Sequence, residues 1–466
     1  MTRIRSFTHI AAALTLTALV ASPVFAARGS ANFTSFVAIG DSYGAGVESA
    51  SLNQNHQPFS WPAVIARQAG VADFQQPLVS FPGVGPELQL VDIVHFPPTI
   101  LPAGTANGQP INLSLARPYN NLSIPGANVT DVITLTGNEP PRSAQDTARI
   151  FAQFILRKSG TEVQQALAQK PTFIAIWIGG NDALGAVLAG TPALLTPLDT
   201  FKTSYNAMLD QLVAGAPSAG MVVGNIPNNV LALPFLNSVA PFLIDPATRK
   251  PVLGPNGQKI FFVADLGGGN IGQLDANSVV LLSAAAKIAS GFGIPSALKQ
   301  IPPFNQLPNV GMPLADTDVL TSAELAVIGK RVDDFNAVIA QAAQQRDIPV
   351  ADIKGLFDRL AAGMFVGPVF LNSSFITGGV FSLDGFHMTD IGYTLFADEY
   401  IKTINNAYHT SIPLAPLSGF MANNLPRTSS GAVVVPDMAY DVSEEAAAQM
   451  LMFAPQLQRR QAVVSH

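Results

Sequence analysis

The sequence predicts an α/β fold in which a parallel sheet is covered on both faces by helices. Two observations predict it. Four apolar runs without polar alternation, FVAIG (36–40), FIAIWIGG (173–180), MVVGNIP (221–227) and IPVADI (348–353), read as strands buried on both faces. Segments of helical period separate them, so strand and helix alternate along the chain in the doubly wound pattern.

Taken in chain order, the first element is not part of that fold. Arg3 and Arg5 precede an apolar run at 10–20, and Val24-Phe25-Ala26 supplies small residues for cleavage after Ala26. This is the layout of an export signal, and the run is short for crossing a bilayer. The expected localisation is therefore secreted, either periplasmic or extracellular. Residues 33–410 are expected to form the main domain. Its region 76–112 is rich in Pro and Gly with little periodicity and reads as a long loop.

Three helices are legible by their stripes. Phe201, Tyr205, Met208, Leu209 and Leu212 fall on one helical face, as do Leu325, Ile328, Val332, Phe335 and Ile339. Tyr393, Ala397, Tyr400, Ile401 and Ile404 make the third stripe, with Thr389 and Asp390 as start signals. The pattern breaks over about 229–315, where Asn256-Gly257 signals a hairpin and 279–290 looks helical, so an insertion is expected there. From 411 to 466 the chain reads as a weakly ordered extension.

Composition narrows the functional classes. The chain carries 25 basic and 31 acidic residues, a net charge of −6, and loss of the signal removes Arg3 and Arg5 with no acid. Such a chain repels phosphate backbones, which excludes a nucleic-acid partner. There is no cysteine, hence no disulfide framework and no thiol nucleophile. Only 12% of residues are charged and mean hydropathy is +0.31, which fits either a peripheral lipid or membrane contact or a large Ala-rich core.

Four short blocks carry residues able to do chemistry. In GDSYGAG, Ser42 follows a strand and precedes a helix start, where amide N–H groups favour developing negative charge. The same letters serve an ordinary turn. They also match G-x-S-x-G, but an α/β-hydrolase elbow needs several strands before it, and little of the chain precedes Phe36. In IPGAN, Gly126 lets backbone approach a ligand closely, as would any turn glycine. In GGND, Asn181 can donate into a crevice at a strand end, or simply cap a helix. In DGFH, Asp384 and His387 lie three apart just before the last helix. A serine hydroxyl needs a histidine to take its proton and a carboxylate to fix the imidazole, and this loop holds both. His56, His95, His409 and His466 have no carboxylate or second histidine at ligand spacing in the chain, so no metal and no cofactor are expected.

Together and in this order, the four blocks resemble the GDSL or SGNH hydrolase family over about Phe36 to Tyr408. The resemblance implies a three-layer α/β/α, flavodoxin-like fold with a mostly parallel central sheet. It implies Ser42 as nucleophile, His387 as general base and Asp384 as its partner, with the Ser42 and Gly126 amides and the Asn181 side chain as oxyanion hole. Tyr43 replaces the family leucine. The activity it implies is carboxylic-ester hydrolysis through an acyl-enzyme. The apolar stretch 228–243 after a strand end suits an acyl pocket or lid and points to lipid or acyl esters. The alternatives are a carbohydrate O-acetylesterase and a non-catalytic surface-binding protein.

Overall fold

The computed structural model describes residues 27–93, 98–245, 248, 250–367 and 369–417. The export signal expected at 1–26 and almost all of the extension expected at 411–466 lie outside the described residues.

Strand β1 (Phe36–Gly40) runs into a one-turn helix α1 (Ser42–Ala45), followed by α2 (Trp61–Gln68) and, after a long connection, α3 (Glu162–Ala168). Then come β2 (Phe173–Trp177), α4 (Asn181–Leu188), α5 (Leu198–Gly215) and β3 (Gly220–Gly224). Further along come α6 (Ser322–Gln344), β4 (Val350–Ala351), α7 (Ile353–Ala362) and α8 (Asp390–Tyr408). The four strands form one parallel sheet in the order β1-β2-β3-β4, with Phe36 opposite Phe173 and Phe173 opposite Gly220.

Residues 120–124 extend that sheet past β1. The Ala38 amide donates to the Asn120 carbonyl at 2.8 Å, Leu122 N–H to Ala38 O at 3.0 Å, and Ile124 N–H to Gly40 O at 2.9 Å. Counting this segment as the second strand in the chain, the spatial order is 2-1-3-4-5, the flavodoxin-like order. Its sequence, NNLSI, carries polar residues where a doubly buried strand would be apolar, so no run announced it.

Strand alternation sorts the core into two layers. Val37, Ile39, Ile174, Ile176, Met221 and Val223 face α3, α5 and α6, and all are fully buried. Phe36, Ala38, Phe173, Ala175, Trp177, Val222 and Ala351 face α2, α7 and α8. The second layer is aromatic: Trp61 stacks on Tyr400 with ring centroids 4.7 Å apart, and the Tyr400 hydroxyl donates to Ile176 O at 2.7 Å, pinning α8 to the central strand.

The expected helices form. The buried stripe of α5 is Phe201, Tyr205, Met208, Leu209 and Leu212. Helix α6 buries Ile328, Val332, Phe335 and Ile339 and begins with a Thr321–Glu324 capping box, while Leu325 is only partly buried. Thr389 caps α8, its hydroxyl accepting from Gly392 N–H at 3.2 Å.

Four local expectations need correction. Region 76–112 is not all loop, because Leu88–Asp92 and Thr99–Pro102 pair antiparallel. The run 279–290 begins extended, with Val279–Val280 paired to Val319–Leu320, and turns helical only in Leu282–Ala284 and Ala285–Ala289. The Asn256-Gly257 turn holds only the bridge between Leu253 and Lys259; the regular hairpin is Val263–Asp265 with Ile271–Gln273. Gly267, Gly268 and Gly269, all at positive φ, make its reversal. In IPVADI only Val350 and Ala351 are strand, since the Asp352 carboxylate accepts from Gly355 N–H at 3.0 Å and starts α7. Residues 239–319 carry a hydrophobic cluster of their own, including Phe262, Leu274, Ile294 and Leu314.

The loop after residues 120–124 is tied to the start of α4 by Asp182, whose Oδ2 accepts from Val129 N–H at 3.0 Å. Burial drives this carboxyl from the usual 3.8 up to about 7. The fold therefore resists its ionisation: its contribution to stability is complete below about pH 4 and is lost as pH rises through about 7. Asp182→Asn is expected to remove that component. Urea denaturation across pH 4.5–8 should show a shallower stability decline in the variant, by about 3 kcal/mol over the range. Parallel curves for the two proteins would show that Asp182 does not titrate as described.

Candidate active site

Three segments end at the same edge of the sheet, where the chain connections from β1 diverge to either side. In open α/β sheets such a switch point leaves a crevice at the carboxyl ends of the strands. Ser42 follows β1, Gly126 follows residues 120–124, and Asn181 follows β2.

Ser42 opens α1 and is almost fully buried. Asp41 caps the turn, accepting from Tyr43 N–H at 3.0 Å, and the Ser42 carbonyl accepts from Gly46 and Val47 N–H at 3.1 and 3.0 Å. The helix is only one turn long, so the local amides rather than a long helix dipole set the field at the hydroxyl. Gly126 has φ +83°, and a Cβ there would meet Thr147 Cβ at 2.9 Å and Ala148 N at 3.0 Å. Only glycine fits that turn. Asn181 donates through Nδ2 to the Ala127 carbonyl at 2.9 Å, which orients the amide and leaves a second N–H to donate.

Asp384 is held on every side. Its Oδ1 accepts from the Phe386 and His387 amides at 3.0 and 2.8 Å, and its Oδ2 accepts from Ala50 N–H at 2.7 Å and faces His387 Nδ1 at 2.8 Å. Burial alone would raise this carboxyl, but the His387 ring and those amides outweigh it and hold it below the usual carboxylate range. The Nδ1 contact places the ring proton on that nitrogen and leaves Nε2 as the acceptor. Nε2 is buried and has no hydrogen-bond partner among the described residues.

The structure thus brings Asp384 and His387 into direct contact and sets Ser42 and Asn181 in the wall of one cavity. That cavity, about 60 Å³, is walled by Tyr43, Trp177, Leu184, Ile226, Leu233 and Phe357 besides Ser42 and Asn181. Gly126 is not in its wall; it lies one residue from the Ala127 carbonyl that Asn181 holds. Tyr43 joins the two halves of the site. Its hydroxyl donates to the Phe386 carbonyl, and its ring lies 5.8 Å from that of His387. In the sequence Tyr43 stood out only as the residue in place of the family leucine. Its signal was a large aromatic immediately after the serine, a position whose reach across the cleft is visible only in the fold.

Ala50, which serves Asp384, was also missed, since a backbone donor leaves no mark in the residue type. The expectation that His56 lacks carboxylate neighbours holds along the chain but not in space. Glu48, Glu87 and Asp390 each come within 3.2 Å of its ring nitrogens.

The chain is similar to several solved structures at low identity. Phospholipase A1 from Streptomyces albidoflavus NA297 is 16% identical, with 82% of this chain and 100% of that chain covered and a TM-score of 0.33. The extracellular lipase from Streptomyces rimosus is 17% identical, covering 80% and 98%, TM-score 0.31. A family 3 carbohydrate esterase from Clostridium thermocellum is 12% identical, covering 80% and 96%, TM-score 0.32. No curated protein matches the sequence. The model of the GDSL-like lipase/acylhydrolase family matches residues 36–400, most of the chain. The protein therefore belongs to the GDSL-like lipase/acylhydrolase family and is an ester-hydrolysing enzyme.

Proposed function

We propose that the protein is an exported serine hydrolase that cleaves carboxylic esters of apolar acyl groups, lipid esters among them, through an acyl-enzyme. The observation that carries this reading is the His387 ring: Nδ1 bound to a fully satisfied carboxylate, Nε2 buried with no partner among the described residues, and the ring packed on the residue that follows Ser42.

Ser42 Oγ adds to the ester carbonyl as His387 Nε2 takes its proton. Asp384 stays ionised and stabilises the imidazolium that forms. The developing oxyanion accepts hydrogen bonds from the Ser42 and Gly126 amides and from the free N–H of Asn181 Nδ2. His387 then protonates the departing alkoxide, and in the second half it deprotonates a water that attacks the acyl-enzyme carbonyl. Hydrolysis of that ester returns the acid and the free Ser42 hydroxyl.

The cavity beside Ser42 supports an apolar acyl group, because Leu184, Val187, Ile226, Leu233, Val332 and Phe357 line it. Leu233 belongs to the stretch after β3. That stretch is fixed to the histidine loop, with Phe235 N–H donating to Gly385 O at 2.8 Å. A cavity near 60 Å³ holds only the first carbons of a chain, and the remainder must lie outside it. The exposed pair Phe365 and Phe370 supports contact with a lipid surface. The small cavity also fits an acetyl group, which keeps carbohydrate O-acetyl esters as the second reading.

Steady-state kinetics on p-nitrophenyl esters check both levels. Ser42→Ala is expected to lower kcat by roughly 10⁶-fold, and Asn181→Ala by about 10²–10³-fold with KM little changed. Ester hydrolysis by purified Ser42→Ala at near wild-type rate would rule out the serine mechanism. Along an acyl series, kcat/KM should rise about fourfold per methylene from acetyl to butyryl, at ~0.8 kcal/mol per buried CH₂, and then level off. An acetyl ester preferred over butyryl would transfer the assignment to the acetylesterase reading.

A further inference from the structure

A second polar centre lies behind the histidine loop. His56 is buried with three carboxylates around it: Nδ1 is 3.2 Å from Glu48 Oε2 and 3.2 Å from Asp390 Oδ1, and Nε2 is 3.1 Å from Glu87 Oε1. Glu48 and Glu87 are fully buried, and among the described residues no Lys or Arg pairs with any of the three acids. Burying three carboxylates against a single imidazole leaves uncompensated negative charge in a low-dielectric site.

One N–H on Nδ1 can serve one of the two oxygens that face it. The His56 contact with Asp390 has hydrogen-bond geometry, whereas the 3.2 Å contact with Glu48 does not, and among the described residues neither buried Glu48 oxygen has a partner of that geometry. Burial raises the Glu48 carboxyl well above its usual range, its Oε2 shares His56 Nδ1 with Asp390 Oδ1, and the three ligand atoms lie within 4.8 Å of one another. Ligand atoms of a tetrahedral ion with bonds of ~2.0–2.1 Å stand ~3.3 Å apart. The two Nδ1 separations of 3.2 Å match that edge.

We infer that Glu48, His56 and Asp390 bind a divalent transition-metal ion of the zinc class. Imidazole together with carboxylates selects such an ion over calcium or magnesium, which take oxygen shells. Glu87 holds the opposite ring nitrogen by accepting its N–H, as metal-bound histidines require to direct the other nitrogen at the ion. Asn53 Nδ2 donates to Glu87 Oε2 at 2.9 Å and completes that support. Two carboxylates neutralise the divalent charge, and a water or the second Glu48 oxygen fills the remaining position.

The ion acts as a structural clamp. Asp390 opens α8 three residues after His387. Glu48 precedes Ser49 and Ala50, whose left-handed backbone (φ 50° and 61°) presents the Ala50 N–H to Asp384. Such strain persists only when its surroundings hold it. An ion binding both Glu48 and Asp390 holds that turn against the histidine loop.

The test uses untagged wild-type protein, stripped with a chelator and reloaded with Zn²⁺, Mn²⁺ or Ca²⁺. Bound metal is read by mass spectrometry of the elements after gel filtration, and stability by thermal melting. About one Zn²⁺ per chain, a higher Tm with Zn²⁺ than with Ca²⁺, loss of binding in Glu48→Gln, and roughly 10–100-fold weaker binding in Glu87→Gln are expected. If Glu48→Gln does not fold, the Glu87→Gln affinity and the wild-type stoichiometry carry the test. The assignment is overturned if folded wild type retains no metal and its Tm is unmoved, if Ca²⁺ binds in preference to Zn²⁺, or if Glu87→Gln binds Zn²⁺ as tightly as wild type.

Discussion

A carboxylate taken out of water must have its lone pairs filled, and the way Asp384 fills them organises this molecule. Its four contacts come from the Phe386 and His387 amides, the His387 ring and the Ala50 amide of a turn far away in sequence. The first three follow from a tight loop. The fourth requires the turn after α1 to be docked on the loop before α8, joining the first and last elements of the domain. Tyr43 reinforces the same junction through the Phe386 carbonyl. The nucleophile candidate and the base candidate are therefore carried by two segments that cannot separate without unsatisfying a buried anion, a cost of several kcal/mol.

Much of the fold was legible because doubly buried strands and striped helices leave strong patterns. FVAIG and FIAIW announced β1 and β2, and the stripes of Phe201 to Leu212 and Tyr393 to Ile404 announced α5 and α8. The segment 120–124 was not legible, since Asn120 and Asn121 do structural work with their side chains: Asn120 Nδ2 donates to Phe36 O and Asn121 Nδ2 to Gly44 O. Short antiparallel pairs such as Val279–Val280 with Val319–Leu320 are below the length at which alternation can be read, and residues 281–318 lie between the two strands.

The site divides the same way. Ser42, Gly126 and Asn181 stood out by residue type at the start of a turn or helix, and Asp384 and His387 by their spacing just before the last helix. Residues that act through reach or through the backbone did not, and Tyr43 and Ala50 are the examples. The cluster around His56 is the extreme case, because Glu48, Glu87 and Asp390 have no shared motif and meet only once α8 docks. The stretch after β3 shows the intermediate case: its apolar character was visible, but only packing showed Leu233 in the cavity wall and Phe235 against the loop of His387.

The proposed chemistry requires that Ser42 carry the acyl group. Brief reaction of the wild-type enzyme with a fluorophosphonate, followed by peptide mass spectrometry, tests it directly. A single adduct on Ser42 is expected, lost when His387 is replaced by Ala. An adduct on another serine, or none on folded and active enzyme, would contradict it.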